Sequence, residues 1–132
     1  MAASDPVSDA LTKIRNASRA KHATVDVKPS RLTERILDVL RREGFIRTYK
    51  VVGEEPAVRR CRVYLKYASR GPAIEQIVRV SRAGVRMYRG YATLPRVRAG
   101  MGVAIISTSQ GVMSDREAYR KRIGGEVLCF IW

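Results

Sequence analysis

Residues 107–111 place hydroxyl, amide and backbone hydrogen-bonding groups together in one predicted turn. Three consecutive hydroxyls, of Ser107, Thr108 and Ser109, are followed by the amide of Gln110 and by a glycine. Hydroxyl and backbone donors suit the sugar edges and phosphates of RNA. We therefore predict that these four polar side chains contact RNA. The alternative is that the hydroxyls only close a hairpin.

A second candidate site is the run Gly124, Gly125 and Glu126. Two consecutive glycines carry no side-chain bulk, so another backbone can approach closely. The carboxylate of Glu126 can accept a hydrogen bond from the amino group of cytosine or guanine. The alternative is that the glycines only end a helix.

The residues needed for the common catalytic and metal sites are missing from the sequence. His22 is the only histidine, whereas a Ser-His-Asp triad or a His-based metal site needs further partners. The glycines at 100 and 102 precede a predicted strand, whereas a dinucleotide fingerprint follows a strand and opens a helix. Cys61 and Cys129 fit neither a CxxC motif nor a disulfide framework, and we predict two buried free thiols. We therefore expect no catalytic residue, no metal site and no cofactor.

The charge of the chain points to an anionic partner. Among 132 residues, 26 Lys and Arg stand against 12 Asp and Glu, a net charge of +14. This balance indicates an acidic substrate, an anionic membrane or nucleic acid. Twenty of the basic residues are Arg, which suits phosphate and guanine edges, although a preference for Arg codons in a GC-rich genome explains the bias equally well. Without an apolar stretch of membrane-spanning length or a signal-peptide pattern, we expect a cytoplasmic location.

The N-terminal part of the chain is predicted to be an α/β lobe. Apolar residues recur every three or four positions in two segments, as in helices, and every second position in later segments, as in strands. The first helix has Pro6 in its first turn and Ser4 or Asp5 as its cap. The predicted order is a helix with its apolar face at 7–17, a strand at 24–28, a helix between 29 and Gly44, and a hairpin of strands at 45–52 and 57–67.

The C-terminal part is predicted to be mostly β. A capping box at Ser114 and Glu117 starts a short helix that the glycine pair should break. The other predicted elements are a second hairpin of strands at 74–80 and 85–91, a helical turn at 94–97, and strands at 101–108 and 126–132. The fold class is therefore α+β with two small lobes, at 1–68 and 74–132, joined by a linker at 69–73.

Three long motifs, found in the same order, resemble the bacterial small-subunit ribosomal protein eight family. Residues 5–17 resemble the first helix of the family, residues 107–118 its RNA-contacting segment and residues 124–132 its closing strand. The likeness runs from residue 4 to the last residue. It implies a protein with an α/β N-terminal lobe and a mostly β C-terminal lobe that is not an enzyme.

The same resemblance implies which residues contact RNA. The hydroxyl run and the glycine patch match the main contact, and the first helix resembles a secondary contact. The predicted RNA-binding residues are Ser107, Thr108, Ser109, Gln110, Gly124, Gly125, Glu126, Lys13, Arg15, Asn16, Arg86 and Tyr88. The chain departs from the family in having Gln110 where Lys is usual, Ala83 where Pro is frequent, and extra basic residues at Arg98 and at 120–122.

Members of this family bind ribosomal RNA of the small subunit at a helix of its central domain and help to build the platform. Some also bind the messenger RNA of their own operon, which implies a second role in repressing its translation. The expected partners are therefore small-subunit ribosomal RNA, neighbouring small-subunit ribosomal proteins and the operon messenger RNA, with no membrane and no DNA. Two other classes stay open, a non-ribosomal regulator that binds messenger RNA or DNA, and an interaction module whose charge only aids solubility.

Overall fold

A computed structural model describes residues 6–132 of the chain. Its helices and antiparallel strand pairs confirm the predicted α+β class. The chain divides into two compact units, with the boundary between Glu75 and Gln76. The predicted caps of the first helix, Ser4 and Asp5, lie outside the described residues.

The first unit has the predicted order of helix, strand, helix, strand, strand. Its three longer strands form one antiparallel sheet in which β3 lies between β1 and β2. A single 3-10 turn, Pro56–Val58, precedes β3. The elements are α1 (Pro6–Arg19), β1 (Thr24–Val27), α2 (Arg31–Arg42), β2 (Ile46–Val52), β3 (Arg60–Leu65), β4 (Tyr67–Ala68) and β5 (Gly71–Pro72).

The local sequence explains both ends of α2. Ser30 caps the helix, because its hydroxyl accepts a hydrogen bond of 3.1 Å from the backbone N–H of Thr33. Gly44 follows the helix with a φ of +82°, a conformation that favours glycine. Both predicted helix signals are therefore confirmed.

The alternation in β3 separates a buried face from a polar face. Cys61, Val63 and Leu65 are buried, whereas Arg60 and Arg62 are not. On the polar face, Arg62 donates hydrogen bonds of 3.0 and 3.3 Å to the carboxylate of Asp26 in β1. Part of the basic charge on this face is therefore paired within the sheet.

Residues 69–73, predicted as a linker, include a paired strand of the first unit. Tyr67 pairs with Pro72, and Ala68 pairs with Gly71, so that β4 and β5 form a small hairpin. The backbone N–H of Ala73 donates to the carbonyl of Lys66. The division of the chain into lobes at 1–68 and 74–132 stays a prediction.

The second unit is built around β10, which has partner strands along both of its edges. The sheet order is β6, β10, β8, β9, and β7 also pairs with β10. Its core contains buried Ala104, Ile106 and Val127 of the sheet and Ala118 of the helix. The elements are β6 (Ile77–Arg79), β7 (Tyr88–Arg89), β8 (Val103–Thr108), β9 (Gly111–Ser114), α3 (Asp115–Lys121) and β10 (Gly125–Ile131).

The predicted second hairpin, of strands at 74–80 and 85–91, is wrong. β6 and β7 do not pair with each other, because both pair antiparallel with the edge of β10 that β8 leaves open. Residues 80–87 connect them, and at its ends this segment still hydrogen-bonds to the backbone of β10 through Val80, Ser81 and Met87. Its tip is closed by reciprocal backbone hydrogen bonds of 3.0 Å between Arg82 and Val85. We call this segment the 80–87 loop.

The helical turn predicted at 94–97 is also wrong. Short 3-10 turns lie on either side of it instead, at Tyr91–Thr93 and Arg98–Gly100. Pro95 lacks a backbone N–H, and proline disfavours the helical conformation of the residue before it. The apolar residues Leu94 and Val97 pack against the core of the second unit without forming a helix.

Candidate nucleic-acid interface

Three of the predicted RNA-binding residues lie side by side across three strands of the second unit. Glu126 of β10 pairs with Ser107 of β8 on one edge and with Tyr88 of β7 on the other. Residues paired directly across antiparallel strands project from the same face of a sheet. The sheet therefore aligns a phenol, a carboxylate and a hydroxyl on one face, and we call Tyr88, Glu126 and Ser107 the polar row. Tyr88 is 63% exposed.

The hydroxyl run continues from the polar row into the β8–β9 turn. Thr108 closes this turn, since its hydroxyl donates to the carbonyl of Gly111 at 2.8 Å and accepts from the N–H of Gln110 at 3.1 Å. Ser109 and Gln110 are exposed at the tip. The hairpin-closing interpretation thus describes Thr108, whereas the side chain of Ser109 faces solvent.

The glycine pair allows close packing inside the protein. A Cβ atom on Gly124 would lie 2.2 Å from the carbonyl oxygen of Arg89, and one on Gly125 would lie 2.1 Å from that of Ser107. Contacts this short cannot be accommodated, so both positions require glycine. The pair therefore lets β7 and β8 approach β10 and align the polar row.

The expectation that the glycine pair breaks the short helix is wrong. α3 ends at Lys121, and the next residue, Arg122, caps it in the left-handed conformation with a φ of 56°. Gly124 comes two residues after this cap, where the chain enters β10. The glycines therefore serve the sheet and not the helix end.

Glu126 is held by the 80–87 loop. Its Oε2 atom accepts hydrogen bonds from the hydroxyl of Ser81 and, at 3.0 Å, from the guanidinium of Arg86. Burial acts to raise the pKa of Glu126, but these two hydrogen bonds and the nearby charge of Arg86 lower it below its ordinary value. Glu126 is therefore an ionised carboxylate that fixes Arg86 next to the polar row.

Ser81 is the residue of this cluster that sequence reasoning missed. It is fully buried, and its oxygen also accepts a hydrogen bond of 3.2 Å from the backbone N–H of Met87. It thereby connects Glu126 with the residue directly before Tyr88. Its sequence neighbours read as an ordinary turn, so no local pattern distinguishes it.

The predicted contacts on α1 belong to the first unit. Lys13 and Asn16 are exposed, while Arg15 is half-buried. The Nε atom of Arg15 is buried without a hydrogen-bond partner among residues 6–132. α1 thus presents a short polar surface within the first unit.

The extra basic residues have distinct positions. The guanidinium of Arg98 lies over the ring of Trp132, 4.8 Å from its centroid, a cation–π contact. Arg120 lines a surface pocket next to α3. Arg98 therefore contributes to packing as well as to charge.

Other kinds of site find no support in the described part of the chain. Between residues 6 and 132, His, Cys, Asp and Glu form no group of three or more that could hold a metal ion. In the same range no helix has the length and apolar character to cross a membrane.

Comparisons with known proteins give a consistent match. A family model described as Ribosomal protein S8 matches residues 5–132. The chain is 47% identical over 132 residues to small ribosomal subunit protein uS8 of Dictyoglomus thermophilum, with all of both chains covered. It is 51% identical over 134 residues to uS8 of Synechococcus elongatus, again with full coverage. It is also 51% identical over 129 residues to uS8 of Acidiphilium cryptum, with 98% of this chain and 99% of the relative covered.

Proposed function

Because the chain belongs to the ribosomal protein S8 family, we propose that it binds small-subunit ribosomal RNA directly, at a helix of the central domain, and helps to assemble the platform. Family membership makes it a protein of the small ribosomal subunit and not an enzyme. Neighbouring proteins of that subunit are further partners in the proposal.

The observation that carries the proposal is the polar row beside the exposed tip of the β8–β9 turn. A phenol, a carboxylate and a hydroxyl share one face of a sheet, and Ser109 and Gln110 extend this face into solvent. A regular RNA duplex hides its major groove, so a surface of this kind suits an irregular, base-paired RNA. We propose that this surface supplies specificity.

Affinity in this proposal comes from basic side chains on phosphates. The chain carries a net charge of +14, and Arg86 lies directly beside the polar row, on Glu126. Phosphate contacts set the register of a protein on RNA but carry no sequence information, whereas polar contacts to bases and sugars do. The exposed Lys13 and Asn16 of α1 are proposed as a secondary contact.

The proposal extends to the messenger RNA of the protein's own operon. A surface that recognises an irregular helical shape binds any RNA that presents that shape. We therefore expect ribosomal and operon RNA to compete for the same polar row. Loss of binding to both RNAs in the same variant would support one shared surface.

The decisive experiment compares Ser109→Ala with Ser69→Ala. Both residues are exposed serines, and only Ser109 lies in the proposed surface. Removing a hydroxyl from a buried RNA contact leaves its partner unpaired, at a cost of about 1–3 kcal/mol. Titration with the isolated central-domain RNA helix should show weaker binding by Ser109→Ala and parent-like binding by Ser69→Ala.

An unrelated RNA duplex and a DNA duplex complete the measurement. Ser109→Ala should bind both of these duplexes as the parent protein does. Arg19→Ala should weaken binding of every nucleic acid equally, and by less than Ser109→Ala weakens binding of the cognate helix. Parent-like binding of the cognate helix by both Ser109→Ala and Ser107→Ala would remove the turn from the site. Equal affinity of the parent protein for all three ligands would favour a general nucleic-acid regulator, and absence of binding would favour a module whose charge aids solubility.

A further inference from the structure

A pocket of about 680 Å³ lies beside α3 in the second unit. Its volume falls within the range of small-molecule sites. None of its lining residues is among the twelve predicted RNA-binding residues, although Asp115 and Arg116 lie within residues 107–118, which resemble the RNA-contacting segment of the family. The main ones are Tyr91, Leu94, Arg96, Arg116, Tyr119 and Arg120.

Two tyrosines form the aromatic part of the pocket. The rings of Tyr91 and Tyr119 have centroids 6.2 Å apart and are inclined by 54°. This inclination leaves no parallel slot between them, so a flat ligand would stack on one ring and meet the other at its edge. Tyr119 is 61% exposed and Tyr91 is 41% exposed, so both rings are accessible.

Three arginines give the pocket its charge. Two of them lie beside Gly100: Nη2 of Arg96 is 2.9 Å, and Nη2 of Arg116 is 4.0 Å, from the point where a Cβ of Gly100 would stand. Arg116 also donates a hydrogen bond to the carbonyl of Gly100. Like charges held this close together favour an anionic ligand.

Asp115 also lines the pocket, but its carboxylate is occupied by the fold. It is 7% exposed and accepts a hydrogen bond of 3.1 Å from the backbone N–H of Ala104. Apart from exposed Ala92 and half-buried Leu94, the lining side chains open to solvent are two aromatic rings and guanidinium groups.

From this combination we propose that the pocket binds an unpaired nucleotide of RNA, whose base stacks on Tyr119 while its phosphate lies among Arg96, Arg116 and Arg120. The inference rests on the proposed RNA binding and adds to it a second, single-stranded contact. Tyrosine rings accept any base as a stacking partner, and arginine pairs with phosphate through a planar fork. An acidic protein segment would satisfy the arginines but would leave the accessible rings without a matching group, so RNA fits the whole pocket better.

The test measures binding of a fluorescent oligoadenylate to the full chain by anisotropy, with an abasic ribose-phosphate oligomer of equal length as second ligand. Stacking of a base on an aromatic side chain is worth about 1–3 kcal/mol by alanine substitution, which corresponds to about fivefold or more in affinity. Tyr119→Ala should lose this factor for oligoadenylate and bind the abasic oligomer as the parent does. Tyr119→Phe should keep the parent affinity, because the ring remains.

Charge variants separate the pocket from general attraction. Arg120→Gln should weaken binding of both oligomers more than Lys121→Gln does. The two residues adjoin on α3, but only Arg120 lines the pocket. Thermal unfolding of each variant confirms that it is folded. If Tyr119→Ala is unstable, Tyr119→Leu keeps the apolar bulk without the ring and takes its place.

Two results would overturn the inference. Oligoadenylate binding that changes by less than about twofold in every ring-free variant would exclude stacking. Displacement of oligoadenylate by an oligoglutamate peptide that needs Arg120 and not Tyr119 would assign the pocket to an acidic protein partner. The two proposals fail separately, because the pocket is measured with Tyr119→Ala on oligoadenylate and the polar row with Ser109→Ala on the central-domain RNA helix.

Discussion

Thr108 and Ser109 are adjacent in the chain, but their hydroxyls have different surroundings. The hydroxyl of Thr108 makes two hydrogen bonds inside the β8–β9 turn, with Gly111 and Gln110. Ser109 is exposed at the tip of the same turn. A run of hydroxyls in a sequence can therefore combine a structural residue with a candidate contact.

This difference predicts unequal effects of two substitutions on the free energy of unfolding. Thr108→Val keeps a β-branched side chain but removes both hydrogen bonds, and should lower the free energy of unfolding by about 1–2 kcal/mol. Ser109→Ala should change it by less than about 0.5 kcal/mol, as at other exposed positions. Urea unfolding of the two variants and the parent measures the difference. Equal losses would show that both hydroxyls serve the turn.

The cysteines provide a second prediction about single residues. Cys61 and Cys129 are both fully buried and unpaired. Burial raises the pKa of the Cys129 thiol to about 12, and burial together with the charge of Glu34 raises that of Cys61. Because the thiolate is the reactive form, a thiol reagent should label the native protein slowly and the urea-unfolded protein rapidly. Rapid labelling of native protein would contradict the predicted core positions.

At the scale of elements, local signals were sufficient for the first unit. The spacing of apolar residues, Ser30 as a cap and Gly44 as a stop predict α2 within two residues at each end. The β2–β3 hairpin was equally predictable, because a short connection joins two alternating segments. β1, the other partner of β3, precedes both strands in the chain and has the same alternating pattern.

Local signals failed where the partner of a strand is distant in sequence. β6 and β7 have the alternation of strands, but alternation carries no information about which strand they pair with. Each pairs with β10, which lies between 35 and 55 residues further along the chain. The same reason conceals Ser81, whose role depends on contact with Glu126, a residue 45 positions away.

The ion pairs between β1 and β3 predict a dependence of stability on pH. Asp26 accepts hydrogen bonds from Arg62 and lies 3.3 Å from Nε of Arg60. The hydrogen bond to Arg62 is the main cause that lowers the pKa of Asp26, and the charges of Arg62 and Arg60 lower it further. Burial acts to raise this pKa but is outweighed. A carboxyl whose pKa is lower in the folded state stabilises the fold above its unfolded pKa, and this contribution is lost as the pH falls through the folded pKa.

The comparison of the parent with Asp26→Asn measures that contribution. The variant should be less stable near neutral pH, and the difference should shrink as the pH falls below about 4. The effect should be modest, because the side chains of Asp26 and Arg62 are 35% and 38% exposed. Urea unfolding at a series of pH values provides the data. A difference that does not change with pH would mean that the pair does not contribute through ionisation.

At the scale of the whole molecule, the net charge of +14 predicts salt-dependent binding. Each phosphate neutralised by a basic side chain releases counterions, so the logarithm of affinity should fall linearly with the logarithm of salt, by roughly 0.7 to 0.9 per contact. We expect about four to eight contacts. Titration of the RNA helix at increasing salt gives the slope. A binding constant that is insensitive to salt would remove phosphate contacts as the source of affinity.

The central position of β10 has a consequence for synthesis of the protein. A polypeptide emerges from the ribosome in order, and units fold as their residues become available. All the strands of the first unit are made by Pro72, but the sheet of the second unit lacks its middle strand until Ile131 has been added. A nascent chain that has passed Ser109 therefore already contains the hydroxyl run, yet lacks β10, the strand that aligns Ser107 with Tyr88 and Glu126. The RNA recognition that we propose for the polar row can therefore begin only when translation of β10 is finished.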